Sequence, residues 1–539
     1  MRFLKYTLFA IIAVSAISAS VINDKYFEII KNIEIFSTVY KELNTNYVDD
    51  IDPGQLMRTG IDAMMESLDP YTVYYSESQV QSYRISTEGQ YNGIGAVSKV
   101  IDGWVTITEI IEDGPAHLAG IEVGDQIVKI NGQTTKDRSN EDVVQIVRGF
   151  PGSTLGLTIN RDGEEQKYSL DRNNIQLKNV PYNGIVGDDI AYVNLTTFTQ
   201  NASANIDKAI KQMKKEQDVK GLILDLRYNG GGLLREAVGI SNLFLGPDME
   251  VVSTKGKVKD RDKSYKTTSE ALDADIPLVV LINGRSASAS EIVAGTIQDY
   301  DRGVIMGQRS FGKGLVQNHR EVGYNSRIKV TTSKYYIPSG RCIQSIDYAD
   351  GDHKDIADNQ RAVFKTRNGR PVLDGGGVTP DIKLEENGNP AILNSLEKDN
   401  WIFKYINEYV NTHDSIVAPE DFAYTEYDKF VTFLKENDFS FQTEAEKELS
   451  EFEEDATDED LALQSDIDAI KAKIDLEKQD DLQEFEELIS RKIEQDIVAR
   501  YYFETGKTQQ RLRKDSEVDA AIALLNDSKR YNEILTVVK

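Results

Sequence analysis

The stretch NGRSASASEI, residues 283–292, alternates Ser286, Ser288 and Ser290 with alanine, between an apolar run and a helical pattern. A strand-to-helix turn exposes a side chain at the sheet edge, and the helix start offers unpaired N–H donors. A serine there can be a nucleophile if a base takes its proton. It can also be a plain helix cap. Ser288 and Glu291 fit the S-x-x-E capping pattern, and caps are far commoner than nucleophiles. No histidine–aspartate constellation stands out as a base; His319 sits before Arg320 and Glu321 like an ordinary strand residue. Lys313, in GQRSFGKGLVQ, is another candidate, because Gly312 and Gly314 permit close backbone approach and a buried lysine can be held neutral. Bringing a lysine from about 10.4 to about 7–8 asks for about 4 kcal/mol of differential solvation, which a closed apolar site can supply. Most strand lysines are nonetheless solvated. The third stretch is LDLRYNGGG, residues 224–232, an apolar strand running into three glycines. Its exposed amides suit a phosphate or a tetrahedral oxyanion, and without a following Gly-Lys-Ser/Thr it is not a P-loop.

These residues need elements to hold them. Residues 24–82 read as helical, with Phe27, Ile30, Ile33, Phe36 and Tyr40 at helical spacing and a second helix ending at Asp69–Pro70. From 83 to 172 short alternating segments and glycine turns predict a compact α+β module of about 90 residues. From 173 to 386 strands alternate with helices, which predicts a mixed sheet covered by helices. The remainder, 387–539, is mostly helical, and its acidic run EFEEDATDEDLA is expected to be a solvated face or linker. The fold class is therefore a multidomain α/β protein.

At 539 residues several cores are expected. The net charge of −27 argues against nucleic acid or an anionic membrane as partner. The single cysteine, Cys342, excludes an intramolecular disulfide and lacks the neighbours of a catalytic thiol. His117, His319, His353 and His413 show no metal-ligand spacing. At the N-terminus Arg2 and Lys5 precede an apolar run and then small residues, the pattern of a signal peptide over 1–20. The run is short for a membrane span of about 20 residues, so an uncleaved anchor is the lesser alternative. The periplasm or cell envelope is the expected location.

LDLRYNGGG, NGRSASASEIVAGTIQDYDRGVIMGQRSFGKGLVQ and DGGGVTPDI together resemble the C-terminal processing peptidases, serine endopeptidases with a Ser–Lys dyad. YVDDIDPGQLMRTGIDAMMESLDPYTVYY and YNGIGA extend the resemblance over about residues 35–385. The resemblance implies Ser288 as nucleophile, Lys313 as general base and Gln317 as the residue that orients the lysine. Positions 313 and 317, if on one strand, would share a face. The oxyanion donors it implies are Gly232, with Gly231 a close rival, and Ala289. No metal or cofactor is implied. The 83–172 module resembles a PDZ domain through YNGIGA and GPAHLAGIEVGDQIVKING. Gly93, Ile94 and Gly95 would then receive the C-terminal carboxylate of a substrate with an apolar last residue. Unfolded or tailed proteins with apolar C-termini are the implied partners. An adaptor or lipoprotein partner and a homo-oligomer stay open. Tyr71 stands where many relatives have histidine, and the tail of about 150 residues exceeds the minimal family form. Two other readings compete. A catalytically silent PDZ scaffold is opposed by the presence of Ser288, Lys313 and Gln317. A small-ester α/β hydrolase is opposed by the lack of a G-x-S-x-G elbow.

Overall fold

The computed structural model describes residues 26–79, 85, 87–345, 357–385, 388–459 and 461–536, so the expected signal segment lies outside the described residues. Contacts divide the chain into two units. The smaller holds the N-terminal helices and residues 317–331. Its first helix, 26–46, leaves Phe27, Ile30, Ile33, Phe36 and Val39 exposed. Its second, Pro53–Glu66, starts where Asp52 accepts from the Gly54 and Gln55 amides, and proline occupies the first turn. Asp69 folds the following turn by accepting from the amides of Tyr71 and Thr72 at 2.8 and 2.7 Å. The strand Val73–Tyr75 then pairs antiparallel with Arg327–Lys329.

The larger unit is built around a six-stranded sheet in the order Tyr182–Val186, Ile190–Asn194, Gly221–Asp225, Leu278–Ile282, Val304–Gly307, Ile382–Lys383. The first pair is antiparallel and the rest are parallel. The central strands are buried on both faces, which explains their unbroken apolar runs. Side chains alternate between two cores. Val193, Leu224, Val280 and Ile282 face the helices Ala202–Glu216, Leu234–Asn242 and Ala289–Asp299. Tyr192, Ile223, Val279 and Leu281 face Val518, Ala521, Leu524 and Leu525 of the helix Ser516–Asn526, with Tyr531 beyond it. The second face of the sheet is thus covered by the far end of the chain. A boundary at 386/387 divides by sequence what packing joins, because an amphipathic helix reads the same whichever core receives it.

The PDZ-like module hangs from this core by a two-stranded ribbon, Gln90–Gly93 with Asn173–Gln176. Its sheet runs Ala96–Ile101, Trp104–Ile110, Gln126–Ile130, Thr154–Arg161, Glu164–Asp171, with helices Pro115–Leu118 and Asn140–Val147. The helices Ala391–Lys398, Trp401–Asn411, Tyr427–Glu436 and Glu486–Leu512 share a separate aromatic-rich core. The acidic run falls mostly in the helix Glu444–Asp458, tied to the helix Gln464–Lys478 by Lys478–Glu446 at 2.9 Å and by Lys471–Glu453. This helical region also touches the PDZ-like module. Lys404 pairs with Asp102, Asn411 donates to Asp162, Arg500 donates to the Val123 carbonyl, and Phe503 packs edge-on against His117.

Candidate active site

The apolar strand Leu278–Ile282 delivers the chain to the serine turn, and the helix Ala289–Asp299 leaves it. Every residue from Ser286 to Asp299 is buried except Ser288. The two flanking hydroxyls are spent on structure. Ser286 Oγ donates to the Leu226 carbonyl at 2.8 Å, and Ser290 Oγ donates to the Asn229 carbonyl at 2.8 Å. Both bonds clamp the serine turn onto the glycine loop that follows the 221–225 strand. The alternation Ser-Ala-Ser-Ala-Ser thus buries the two flanking serines and leaves only the middle one half-buried, in a capping box with Glu291.

Ser288 itself has φ 56° and ψ −108°, outside the regions comfortable for a residue with a Cβ. Such a conformation costs about 1–3 kcal/mol and persists only where its surroundings fix it. Here the Ser288 N–H donates to Glu291 Oε2 at 2.7 Å, and its carbonyl accepts from the Tyr335 hydroxyl at 3.1 Å. Burial pushes the Tyr335 phenol far up, with the nearby Glu291 adding to the effect, so it stays an O–H donor.

The glycine loop approaches the turn as closely as backbone allows. A Cβ on Gly231, at φ +98°, would lie 2.6 Å from the Ala287 carbonyl oxygen and 2.9 Å from the Ala289 nitrogen. Only glycine fits there. Its N–H donates to Asn229 Oδ1 at 2.9 Å. Gly232 forms a parallel bridge to Phe198, made by the Gly231 carbonyl and the Leu233 amide. That pattern turns the Gly232 amide to the opposite side, and Gly232 is exposed where Gly231 is buried.

Lys313 stands half-buried just before the strand Leu315–Gly323. Positions 313 and 317 are therefore not on one strand, and the shared-face expectation fails. The backbone is pinned by its glycines instead. A Cβ on Gly312 would lie 2.5 Å from Ser345 Oγ, and one on Gly314 would lie 2.7 Å from the Gln344 nitrogen. The Gly314 N–H donates to Gln344 Oε1 at 2.7 Å, and the Ser345 N–H donates to the Gly312 carbonyl at 2.9 Å. Gln317 lies on the strand, where its Nε2 donates to Thr331 Oγ1 at 3.2 Å.

Glu291 joins these pieces, and the sequence pattern weighed it only as a capping partner. Its carboxylate is fully buried and accepts four hydrogen bonds. Oε2 takes the amides of Ser288 and Lys313 at 2.7 and 2.9 Å, and Oε1 takes the Gly312 amide and Ser310 Oγ at 2.7 and 2.6 Å. Burial pushes this carboxyl up, and the four donated bonds pull against that rise. One side chain thereby fixes the backbones of Ser288 and Lys313 against each other.

Asp225, at the end of the glycine-loop strand, is wholly buried and accepts from Tyr192 at 2.6 Å and from Arg227. Burial alone would raise its carboxyl, but the Arg227 guanidinium beside it prevails and holds it below the ordinary aspartate value. A lowered folded-state value means stability that is present above the unfolded value and is lost as pH falls through the folded one. Wild-type protein is therefore expected to lose melting temperature steeply below about pH 4, and Asp225→Asn to show a shallower acid slope from a lower plateau. Thermal melts between pH 3 and 7 check this; parallel slopes would contradict it. Burial pushes the Cys342 thiol up, against the sense an activated thiol would need.

In the PDZ-like module Gly93, Ile94 and Gly95 form the expected loop between ribbon and sheet, all three buried. The Ile94 and Gly95 carbonyls turn inward to the amides of Ala116 and Ile111. Gly95, at φ +77°, sits where a Cβ would come 3.3 Å from the Gly114 Cα. Beside the loop, Ser98 Oγ on the first sheet strand bonds Asn140 Oδ1 on the facing helix at 2.9 Å. A strand and a helix thus flank the loop.

A mixed α/β core with a serine at a strained strand-to-helix turn, joined to a PDZ-like module, is the arrangement of a serine peptidase that carries a PDZ domain. Sequence comparison agrees. A profile of peptidase family S41 matches residues 189–357, a PDZ-domain profile matches 106–161, and one for the C-terminal helical domain of probable PDZ-proteases matches 392–525. The chain is 36% identical over 321 residues to a carboxy-terminal-processing protease of Bartonella bacilliformis, covering 59% of this chain and 73% of that one. It is 35% identical over 340 residues to a "probable CtpA-like serine protease" of Staphylococcus haemolyticus, covering 62% and 67%. Among solved structures, a photosystem II D1 C-terminal processing protease matches 66% of this chain and 93% of its own at 26% identity, with a TM-score of 0.36. The chain belongs to the carboxy-terminal-processing serine proteases of family S41.

Proposed function

We propose that Ser288 and Lys313 are a Ser–Lys dyad that hydrolyses peptide bonds in proteins recruited by their apolar C-termini. The observation that carries this reading is the tether through Glu291, which holds the one unburied residue of the serine turn against the half-buried lysine. Lys313, neutral, takes the Ser288 hydroxyl proton as Oγ attacks the scissile carbonyl carbon. The negative charge moves to the carbonyl oxygen, facing the amides of Ala289 and Gly232. The Gly231 amide already donates to Asn229, which favours Gly232 of the two. The Lys313 ammonium returns its proton to the leaving amine as the C–N bond breaks. Water then attacks the acyl-enzyme as Lys313 takes its proton, and the ammonium returns that proton to Ser288 Oγ as the ester C–O bond breaks and the acid product leaves. Gln317 orients the lysine. The loop Gly93–Gly95 receives the substrate carboxylate. Cell envelope or periplasm is the proposed location, following the N-terminal signal pattern. The apolar side chains exposed along helix 26–46 support self-association.

The test is an unfolded protein with an apolar C-terminal tail, offered as the free acid and as the amide. The acid is expected to be cut with kcat/KM at least about tenfold higher, the worth of a charge-assisted contact to the carboxylate. Equal rates would remove recruitment from the reading and leave the peptidase. Cleavage of neither form would return the silent scaffold.

A further inference from the structure

The glycine loop depends on an arginine whose partners come from the other end of the chain. Arg227 leaves the 221–225 strand five residues before Gly232, and its side chain is 5% exposed. Nε and Nη2 donate to Asp225 at 3.0 and 2.6 Å. Nη1 and Nη2 form a fork onto Asp515 Oδ1 and Oδ2 at 3.0 and 2.7 Å, and Nη1 also reaches Glu517. Glu517 is held in turn by Gln308 Nε2 at 2.6 Å. Asp515 does a second job, accepting from the amides of Glu517 and Val518 as the cap of the helix Ser516–Asn526. That helix is fixed to the sheet by Val518, Ala521, Leu524 and Leu525.

The residues beside Arg227 are gripped by the serine turn. Leu226 accepts from Ser286 Oγ, and the Tyr228 amide, at φ 62°, donates to Asn283 Oδ1 at 2.9 Å. Between them, among the described residues, the guanidinium is oriented by carboxylates, one local and two from the C-terminal helix start. A fork onto a planar carboxylate fixes direction as well as distance. Taking one carboxylate away leaves a buried cation underpaired, and the chain around it moves to relieve that.

We propose that Asp515 and Glu517 are positioning residues for the oxyanion loop, acting through Arg227, so that the C-terminal helix completes the active site of its own chain. The proposal rests on the Ser–Lys reading above, since it concerns the loop that carries Gly232.

The test uses the full chain. Asp515→Asn keeps an acceptor for the helix cap and removes the charged fork. Its kcat is expected to fall about tenfold to hundredfold, the range for a displaced oxyanion donor, with KM unchanged because substrate is held elsewhere. Glu517→Gln is expected to fall less, and Asp515→Glu, which keeps the charge, to recover part of the loss. Leu525→Ala is the control. It loosens the same helix without touching Arg227, so it should lower the melting temperature while kcat per folded enzyme holds. Wild-type kcat in Asp515→Asn would overturn the proposal. So would a loss matched by Leu525→Ala, or no recovery in Asp515→Glu at equal melting temperature. A folded but inert wild type would instead bring down the Ser–Lys reading and this proposal with it.

Discussion

Lys313→Arg is expected to abolish peptide-bond cleavage as fully as Ser288→Ala, each lowering kcat by at least about 10⁴-fold. The comparison separates two roles for a cation beside a serine. If Lys313 served only as a positive charge that steadies the oxyanion, arginine would keep the charge and much of the rate. If it is the base, arginine fails, because a guanidinium does not give up its proton in a protein. Arginine is also the gentler change for the fold, since the Lys313 backbone is fixed by Glu291 and by Gly312 and Gly314, none of which the side chain alters. The double variant should be no worse than either single one, as expected for groups that act as a unit. Rates are read on the unfolded test protein by mass of the products. A Lys313→Arg enzyme with more than about a tenth of wild-type kcat would move the base elsewhere.

The sequence made the serine turn, the lysine loop and the PDZ loop legible because each is a local pattern. Small residues, paired glycines and an apolar strand announce close approach within a few positions of one another. The central strands were legible for the same reason, since runs such as Pro277–Ile282 read as buried strands, whereas the C-terminal helix that covers the sheet's second face did not show itself. What was not legible depends on contacts across long stretches of chain. Glu291 showed itself as a cap residue three positions after Ser288. Its bonds to Ser310, Gly312 and Lys313, about twenty residues on, have no signature in spacing. Asp515 and Glu517 sit in a charged helical tail whose acids look alike, and only folding selects which of them meet Arg227. The lysine was expected to share a strand face with Gln317, but the strand begins at Leu315, two residues after it. By residue type alone Ser286 and Ser290 did not differ from Ser288, and only the resemblance singled out the middle serine and left the other two as packing residues. Their burial and their bonds to Leu226 and Asn229 make that distinction.

Glu291→Gln is expected to lower kcat about 10²- to 10³-fold while the protein still folds, with stability reduced by about 2–4 kcal/mol. The argument is one of donors and acceptors. Four donors point at this side chain, two at each oxygen. An amide offers one oxygen and one NH₂, so whichever way it turns, at least one backbone N–H meets a donor. If the NH₂ replaces Oε2, the amides of Ser288 and Lys313 lose their common acceptor directly. If it replaces Oε1, the Ser310 hydroxyl can turn and accept, but the Gly312 amide is displaced, and Lys313 moves with its neighbour. Either way Ser288 loses part of what holds it at φ 56° and can relax toward an ordinary backbone conformation. A relaxed nucleophile has lower energy and the wrong direction, so the loss should appear in kcat and in the acylation burst, with KM little changed. Glu291→Ala, which leaves all four donors buried without an acceptor, should be worse in both stability and rate. Circular dichroism melts and single-turnover acylation measure the two effects separately. An acylation rate in Glu291→Gln within about threefold of wild type would mean that the helix alone sets the direction of Ser288 and that the carboxylate only stabilises the fold.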